Sequence, residues 1–220
     1  MNNQSLSVTG GGDSINTSNN NIEIINRADN QRPNHNNVIL NFISNVTKYG
    51  VLKLYVNREN EGLVNIYRDH VNKHNHSILN DPFPNSGFDL IVPSTTTFTM
   101  FNINKLIDHE VKCEMTLYDV VNQTREYSAF YMYPRSSMSK TELILSNHTG
   151  IIDSGYRGCL MGAFKWLKPE NTSSPNYTVP RLTKLLQICL PTLHPVYVIM
   201  VDESELTETV RGAGGFGSTN

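Results

Sequence analysis

Two short runs near the C-terminus, Leu186-Gln-Ile-Cys-Leu190 and Val196-Tyr-Val-Ile-Met-Val201, decide the fold class. Both are rich in apolar and β-branched residues, and a Pro-containing segment that favours a turn separates them. Similar runs occur upstream, each bounded by Pro, Gly, Asn or Ser, at Leu90–Val92, Tyr127–Met132 and Leu143–Leu145. Many short strands with turn signals between them predict an all-β sandwich or barrel.

The pattern changes closer to the N-terminus. Residues Val51–Val56 alternate between apolar and polar side chains, as a half-buried strand does. Beyond that strand, Leu63, Tyr67 and Val71 recur at helical spacing. The sequence therefore predicts one amphipathic helix over about residues 59–77, ahead of the β-rich part.

The two ends of the chain differ in composition from this core. Residues 1–37 are dominated by Asn, Ser and Gly, and they hold too few apolar side chains to offset the entropy of ordering. We expect a disordered Asn-rich arm there, followed by one domain over residues 38–210. Residues 211–220 form a Gly-rich tail that cannot fold alone.

Bulk composition narrows the class of protein. A net charge of −2 and a pI near 6.4 give no basic stripe of the kind that direct nucleic-acid binding needs. No apolar run approaches the roughly 20 residues that cross a bilayer, and the N-terminus lacks a secretory pattern. Three widely spaced cysteines favour buried thiols. We therefore expect an intracellular protein, cytoplasmic or nuclear, that binds no membrane.

Three segments carry candidate chemistry. In the tail, glycines let backbone N–H groups converge on phosphate while Arg211 adds a cation, although such tails are commonly only flexible ends. Asp153, at the end of an apolar strand in residues 150–158, suits a general base on water or a turn. Pro134–Ser137 offers a guanidinium and two hydroxyls to phosphate, or forms a surface turn.

Taken together, these segments resemble the trimeric dUTPase family, whose five motifs all have a counterpart here in the right order. The counterparts are Ser86–Leu90, Pro134–Ser137 with Lys140, Asn147–Gly158, Leu185–Ile188 and Arg211–Thr219. The third and fifth are highly specific, and the sequence is similar to forms from large DNA viruses. The resemblance implies a distorted jelly-roll or β-barrel of the dUTPase type and a homotrimer.

The resemblance also implies an activity, the hydrolysis of dUTP to dUMP and pyrophosphate, which limits uracil in DNA and supplies dUMP for dTMP synthesis. Asp153 would orient and deprotonate the water that attacks the α-phosphorus. Tyr156 would pack under the deoxyribose and exclude a 2′-hydroxyl, and Asn147 would read uracil. The other substrate-binding residues implied are Arg135, Ser136, Ser137, Gly150, Gln187, Arg211, Phe216, Gly217, Ser218 and Thr219.

A metal and a shared site follow from the same resemblance. Asp89 would position a hydrated Mg²⁺ that bridges phosphate oxygens. The C-terminal arm, residues 211–220, would cross to a neighbouring subunit and close over its active site, with Phe216 stacked on the uracil. Three departures from the family pattern affect the phosphate side: Gly155, Lys184 and the final Asn220.

Three alternatives remain at this point. A dCTP deaminase shares the fold, but residues 159–164 lack the carboxylate that it needs. A catalytically weak dUTPase-like protein would keep the nucleotide pocket as a regulatory switch. His70 and His74, one helical turn apart, suit zinc, although the absence of a suitably spaced Cys or carboxylate favours a solvated helix face.

Overall fold

The computed structural model describes residues 46–101, 104–170 and 173–215. The predicted disordered arm, residues 1–37, and the end of the tail, residues 216–220, lie outside the described residues. One long helix, α1, spans Glu61–Asn80, and short 3₁₀ turns lie at Ser136–Lys140 and Glu203–Glu205. The strands are β1 (Lys48–Val56), β2 (Gly87–Leu90), β3 (Thr96–Thr99), β4 (Lys105–Asp108), β5 (Val111–Asp119), β6 (Thr124–Tyr127), β7 (Phe130–Pro134), β8 (Leu143–Leu145), β9 (Gly150–Ile152), β10 (Met161–Trp166), β11 (Asn176–Val179), β12 (Leu186–Cys189) and β13 (Val196–Met200).

The strands form four sheets in the orders β13-β1-β5-β6, β2-β12-β7-β9, β4-β10-β8 and β11-β3. In the first sheet β1 runs parallel to β13 and antiparallel to β5. Across residues 46–101, 104–170 and 173–215 the sheets do not close into one continuous hydrogen-bonded barrel. The prediction of a mostly β protein with one N-terminal helix is confirmed. Within these ranges, no helix is long and apolar enough to span a membrane.

Alternation along β1 explains how its sheet divides the core. Leu52 and Leu54 face the main apolar cluster, whereas Val51 faces a second, smaller cluster on the opposite side of the sheet. Both faces are buried, since these three side chains are at most 4% exposed. The strand predicted over Val51–Val56 is present, but it is covered on both faces and is not half-buried, since only Lys53 and Tyr55 within it are partly exposed.

Helix α1 begins after Asn60, whose side-chain oxygen accepts a hydrogen bond from the Leu63 N–H at 3.2 Å. Its apolar face, with Tyr67 and Val71 fully or nearly buried, packs on the main cluster. The Tyr67 hydroxyl accepts a hydrogen bond from the Ile91 N–H at 2.9 Å, which ties the helix to the chain just after β2. The helix ends three residues later than the predicted residue 77 because the apolar stripe continues through a fully buried Ile78.

The predicted solvated face around His70 and His74 is wrong. The His70 ring stacks on Phe88 at 4.7 Å between centroids, and the His74 ring meets Phe88 edge-on at 5.1 Å. Both imidazoles are therefore held between the helix and β2. No group of three metal-ligating side chains occurs in the described residues, so the structure gives no support to a zinc site either.

The predicted single strand over Tyr127–Met132 is two strands in the structure. The Ser128 N–H still donates to the Met115 carbonyl at 2.9 Å, in the sheet that contains β5. Phe130 then pairs with Ile152 in another sheet. The chain changes sheets between these residues, and an apolar run alone does not reveal such a crossing.

Candidate functional site

Asp153 directly follows β9, an edge strand that pairs only with β7 among the described residues. The Tyr156 N–H donates to the Asp153 carbonyl at 3.0 Å, which closes a tight turn. The Tyr156 hydroxyl donates to the Cys159 carbonyl at 3.0 Å, so the ring lies back over the turn. A Cβ at position 158 would overlap that hydroxyl, and Gly158 is therefore required by packing.

A cleft of about 210 Å³, here called the Asp153 cleft, opens beside this turn. Apolar side chains such as Met132 and Ile152 form part of its wall. The predicted substrate-binding and catalytic residues that line it are Asn147, Gly150, Asp153, Tyr156 and Arg211. It is small, and its wall combines apolar side chains with polar ones such as Asn147 and Asp153, as suits one planar base and a sugar.

Arg211 forms an ion pair with Asp153, and both side chains are about half exposed. The same guanidinium lies 5.9 Å from the centre of the Tyr156 ring. Burial raises the pKa of Tyr156 above its ordinary value, so its hydroxyl stays protonated as a donor. The first residue of the tail thus touches both side chains that the sequence singled out in the turn.

Hydrogen bonds fix the start of the tail on this turn. The Arg157 N–H donates to the Gly212 carbonyl at 2.7 Å, and Gly212 has a φ of 51° that favours glycine. The Thr209 hydroxyl donates to the Gly155 carbonyl at 2.5 Å and accepts from the Gly212 N–H at 3.1 Å. The tail therefore leaves the core at a defined place and in a defined direction.

A buried carboxylate anchors both segments, and sequence reasoning missed it. Glu114 in β5 is 2% exposed and accepts from the Thr207 N–H at 2.7 Å. Lys53 and Arg157 lie 3.1 and 3.2 Å from its oxygens. Burial alone would raise the pKa of Glu114, but the Thr207 hydrogen bonds and the Lys53 ammonium hold it below its ordinary value. In the sequence, the only local sign of this buried carboxylate is a single Glu flanked by Cys113 and Met115.

The phosphate-side residues gather in a second cleft of about 800 Å³, here called the Asp89 cleft. Strand pairing places Asp89 directly opposite Gln187. The predicted residues that line the cleft are Asp89, Arg135, Ser136 and Gln187. Ser137 is exposed in the 3₁₀ turn that follows and does not line it.

Charge in the Asp89 cleft is arranged around one carboxylate. Arg135 Nε lies 2.7 Å from one oxygen of Asp89, and Lys184 Nζ lies 3.2 Å from the other. Two cations thus converge on one anion, which leaves a net positive local charge suited to a polyanion. Lys184, noted in the sequence as a departure from the family pattern, is a part of this arrangement.

Helix α1 forms one wall of the same cleft through His70, Lys73 and His74, which sequence reasoning did not assign to it. His70 Nε2 lies 3.2 Å from the Asp89 carbonyl oxygen, and its Nδ1 lies 3.4 Å from Lys184 Nζ. Burial, aided by the Lys184 charge, lowers the pKa of His70 to about 4. The imidazole is therefore neutral near pH 7.

Asp153 and Arg135 lie at opposite ends of β7. Asp153 follows Ile152, which pairs with Phe130, the first residue of β7, whereas Arg135 follows the last residue of that strand. Arg135 is five positions along the chain from Phe130, about 17 Å at the usual rise per residue of a strand. The structure thus brings the predicted residues together as two groups. Phe216, Gly217, Ser218 and Thr219 lie outside the described residues.

Comparison with known proteins gives one family. A family model described as dUTPase matches residues 75–220. A deoxyuridine 5′-triphosphate nucleotidohydrolase of Polynucleobacter necessarius is 38% identical over 94 residues, 42% of this chain and 58% of the relative. The protein of the same name from Escherichia phage T5 is 39% identical over 87 residues, 39% of this chain and 54% of the relative. The matches therefore span little more than half the length of these relatives.

Among solved structures, the dUTPase from phage phi11 of S. aureus is similar to 63% of this chain and 88% of its own, with 16% sequence identity and a TM-score of 0.37.

Proposed function

The chain belongs to the dUTPase family, and on that premise we propose that it hydrolyses dUTP to dUMP and pyrophosphate. The observation that carries the proposal is Asp153 at the end of β9, half exposed and beside the Tyr156 ring in a base-sized cleft. A carboxylate in that position is accessible to a water molecule and is held in place by the turn that it closes.

In the proposed reaction, the Asp153 carboxylate accepts a proton from a water molecule while the oxygen of that water bonds to the α-phosphorus. The bond from that phosphorus to the bridging oxygen of the β-phosphate breaks, and pyrophosphate leaves. Arg211 must release Asp153 for this step, since an ion pair lowers the basicity of a carboxylate. The triphosphate is the natural new partner for the guanidinium.

Selectivity is proposed to arise from the Asp153 cleft. Asn147 and the backbone at Gly150 would offer hydrogen bonds to the uracil edge. Tyr156, fixed over the turn, would leave no room for a ribose 2′-hydroxyl. A site that leaves its buried polar groups unpaired with the wrong base discriminates by about 10⁴ or more.

We assign the phosphates to the Asp89 cleft, whose lining includes the potential donors Arg135, Ser136 and Gln187. The proposed contact of Ser137 would need the bound phosphates to extend to the 3₁₀ turn. Phe216, Gly217, Ser218 and Thr219 would close over the base and the outer phosphates.

The ligand set in the Asp89 cleft fits Mg²⁺ only as a companion of the nucleotide. No three metal-ligating side chains cluster within the described part of the chain, and Asp89 is shared by two cations. Mg²⁺ usually keeps several waters and binds through one or two carboxylates plus phosphates. Asp89 would hold it through water. When bound, the ion neutralises charge on the triphosphate.

The distance between Asp153 and Arg135 in one chain supports an active site shared between subunits. The phosphorus attacked beside Asp153 is bonded to the same phosphate chain that Arg135 would hold, and about 17 Å of β7 separates their positions in one chain. We therefore propose that the Asp153 cleft of one chain meets the Asp89 cleft of another in a homotrimer, with the arm of residues 211–220 closing the site.

A substrate panel tests the proposed function. dUTP, dCTP, dTTP and UTP are each incubated with the full chain and Mg²⁺, and both pyrophosphate and ammonia are measured. We expect pyrophosphate from dUTP at a rate at least about 10³ times that from the others. Ammonia from dCTP would indicate a deaminase, and dUTP binding without turnover would indicate a regulatory nucleotide-binding protein. Either result contradicts the proposal.

A further inference from the structure

Helix α1 reaches the Asp89 cleft from outside the region that the family model matches. That match begins at residue 75, whereas His70 and Lys73 precede it and still line the cleft. These two residues therefore lie outside the matched region, and the family match gives them no role.

The contacts of His70 determine which of its nitrogens carries the proton. The Lys184 ammonium has donors and no acceptor, so at 3.4 Å it donates to Nδ1. The hydrogen of the neutral ring then lies on Nε2, which donates to the Asp89 carbonyl at 3.2 Å. One imidazole thus connects the backbone of Asp89 to the side chain of Lys184.

Packing holds that imidazole in place. Its ring stacks on Phe88 at 4.7 Å and 25° between planes, and Phe88 is the residue next to Asp89 in β2. Tyr67, fully buried one turn earlier in the helix, lies 6.5 Å from the same ring. The imidazole is therefore a rigid acceptor at the edge of the cleft.

Lys184 is oriented by two acceptors. An ammonium has three N–H donors, of which one points at Asp89 and one at His70. The described residues offer the third donor no hydrogen-bond partner, and Lys184 lines the cleft together with Arg135 and Gln187. Fixing a flexible lysine in advance reduces the entropy lost when an anion binds.

We propose that His70 is a positioning residue of the phosphate site, which holds Lys184 so that one of its N–H donors faces a bound polyphosphate. The inference rests on the proposed function for the identity of the nucleotide. The anion chemistry that it describes is that of a linear triphosphate, and inorganic tripolyphosphate is a probe of it that needs no turnover.

The test is a double-mutant cycle on the full chain, with tripolyphosphate binding measured by calorimetry at fixed Mg²⁺. His70→Phe keeps the ring stacked on Phe88 and removes both polar contacts. We expect it to weaken binding about fivefold, the effect of one hydrogen bond. Lys184→Met should weaken binding more, and the double variant should be no weaker than Lys184→Met within about twofold, because His70 acts through Lys184.

Two further variants control for folding and for the ring. His76→Phe makes the same substitution at an exposed position of α1 and should bind as the wild type does. His70→Asn carries an acceptor at a distance from the backbone similar to that of Nδ1, and it should bind within about twofold of the wild type. If His70→Phe fails to fold, His70→Ala takes its place in the cycle, because it also removes both polar contacts and should weaken binding about fivefold.

Three results would overturn the inference: wild-type binding in His70→Phe, effects of the two substitutions that multiply in the double variant, or equal losses in His70→Phe and His70→Asn. Absence of tripolyphosphate binding by the wild-type chain would also overturn it, because there would be no anion site to position. Failure of the proposed function is a separate result, the absence of pyrophosphate release from dUTP, and leaves the calorimetric cycle readable.

Discussion

At the scale of single residues, the proposed chemistry centres on Asp153, which is ion-paired with the guanidinium of Arg211. Arg211 reaches Asp153 because Thr209 and Gly212 are bonded to the same turn that presents the carboxylate. The ion pair is half exposed, so its net contribution to stability is small. It is therefore a contact that a phosphate group can displace at little cost.

Asp153→Asn should preserve binding and abolish turnover. The amide keeps the size of the side chain but cannot accept the proton of the attacking water. We expect kcat for dUTP to fall by about 10² to 10⁴, as for the loss of a general base, with the dUTP dissociation constant changed by little. Pyrophosphate release assays measure kcat, and calorimetry measures the dUTP dissociation constant. Near-wild-type turnover would exclude Asp153 as the base.

Gly158→Ala tests the placement of the Tyr156 ring. The new Cβ would overlap the Tyr156 hydroxyl and push the ring away from the turn. We expect kcat/KM for dUTP to fall about tenfold, and discrimination against UTP to weaken, because the Tyr156 ring would no longer be held in place against the sugar. Gly155→Ala is the matched control, since its Cβ would find its nearest neighbour at 3.8 Å. Equal effects of the two substitutions would contradict this role for Gly158.

At the scale of elements, Glu114 connects β5 to the turn after β9 and to the root of the tail. It accepts from Thr207 and pairs with Lys53 and Arg157, and Arg157 also donates to the Ser154 carbonyl at 2.8 Å. One buried carboxylate thus fixes the position of the Asp153 turn relative to the start of the arm. Removing its charge leaves two cations without their shared partner.

Glu114→Gln should destabilise the fold and loosen the arm together. We expect the free energy of unfolding to fall by about 3 kcal/mol, as when a buried ion pair is broken. Urea unfolding measures the loss, and limited proteolysis near Thr207 measures the loosening. Glu126→Gln, at an exposed position of β6, is the control. An unchanged midpoint would show that the carboxylate charge is not needed.

The strands could be predicted only in part, for a physical reason. The bounds of β12 and β13 agree with the two predicted apolar runs to within one residue, because most side chains of both strands are buried. β5, nine residues long, was missed because Lys112 and Glu114 interrupt its apolar pattern. Glu114 is buried only because residues distant in sequence neutralise it, and no local pattern contains that information.

The residues of the candidate site could also be predicted only in part. Local motifs were enough to single out Asp153, Tyr156 and Arg135, whose turn chemistry is contained in a few neighbouring residues. The contact of His70 with Lys184 joins residues 114 positions apart, and it depends on how α1 packs on β2. Periodicity predicted the helix and its apolar face, but not which cleft its other face would border.

At the scale of the whole molecule, three imidazoles make stability depend on pH. Burial lowers the pKa of His70, His74 and His109 from the ordinary 6.5. Below pH 6.5 the unfolded chain takes up protons that the folded chain does not, so folding becomes less favourable as the pH falls. We expect the urea midpoint to decrease steadily from pH 7.5 to pH 5. A constant midpoint over that range would contradict the conclusion that burial lowers the pKa of these histidines.

On one chain Asp153 and Arg135 lie at opposite ends of β7, and we propose that each catalytic centre combines them from two subunits. Mixing inactive Asp153→Asn and Arg135→Ala chains tests it most directly. If the centre joins the Asp153 cleft of one chain to the Asp89 cleft of another, random mixing in equal amounts should restore about a quarter of the wild-type dUTP turnover. Turnover no greater than that of the parent variants, with subunit exchange demonstrated by mass spectrometry, would contradict it.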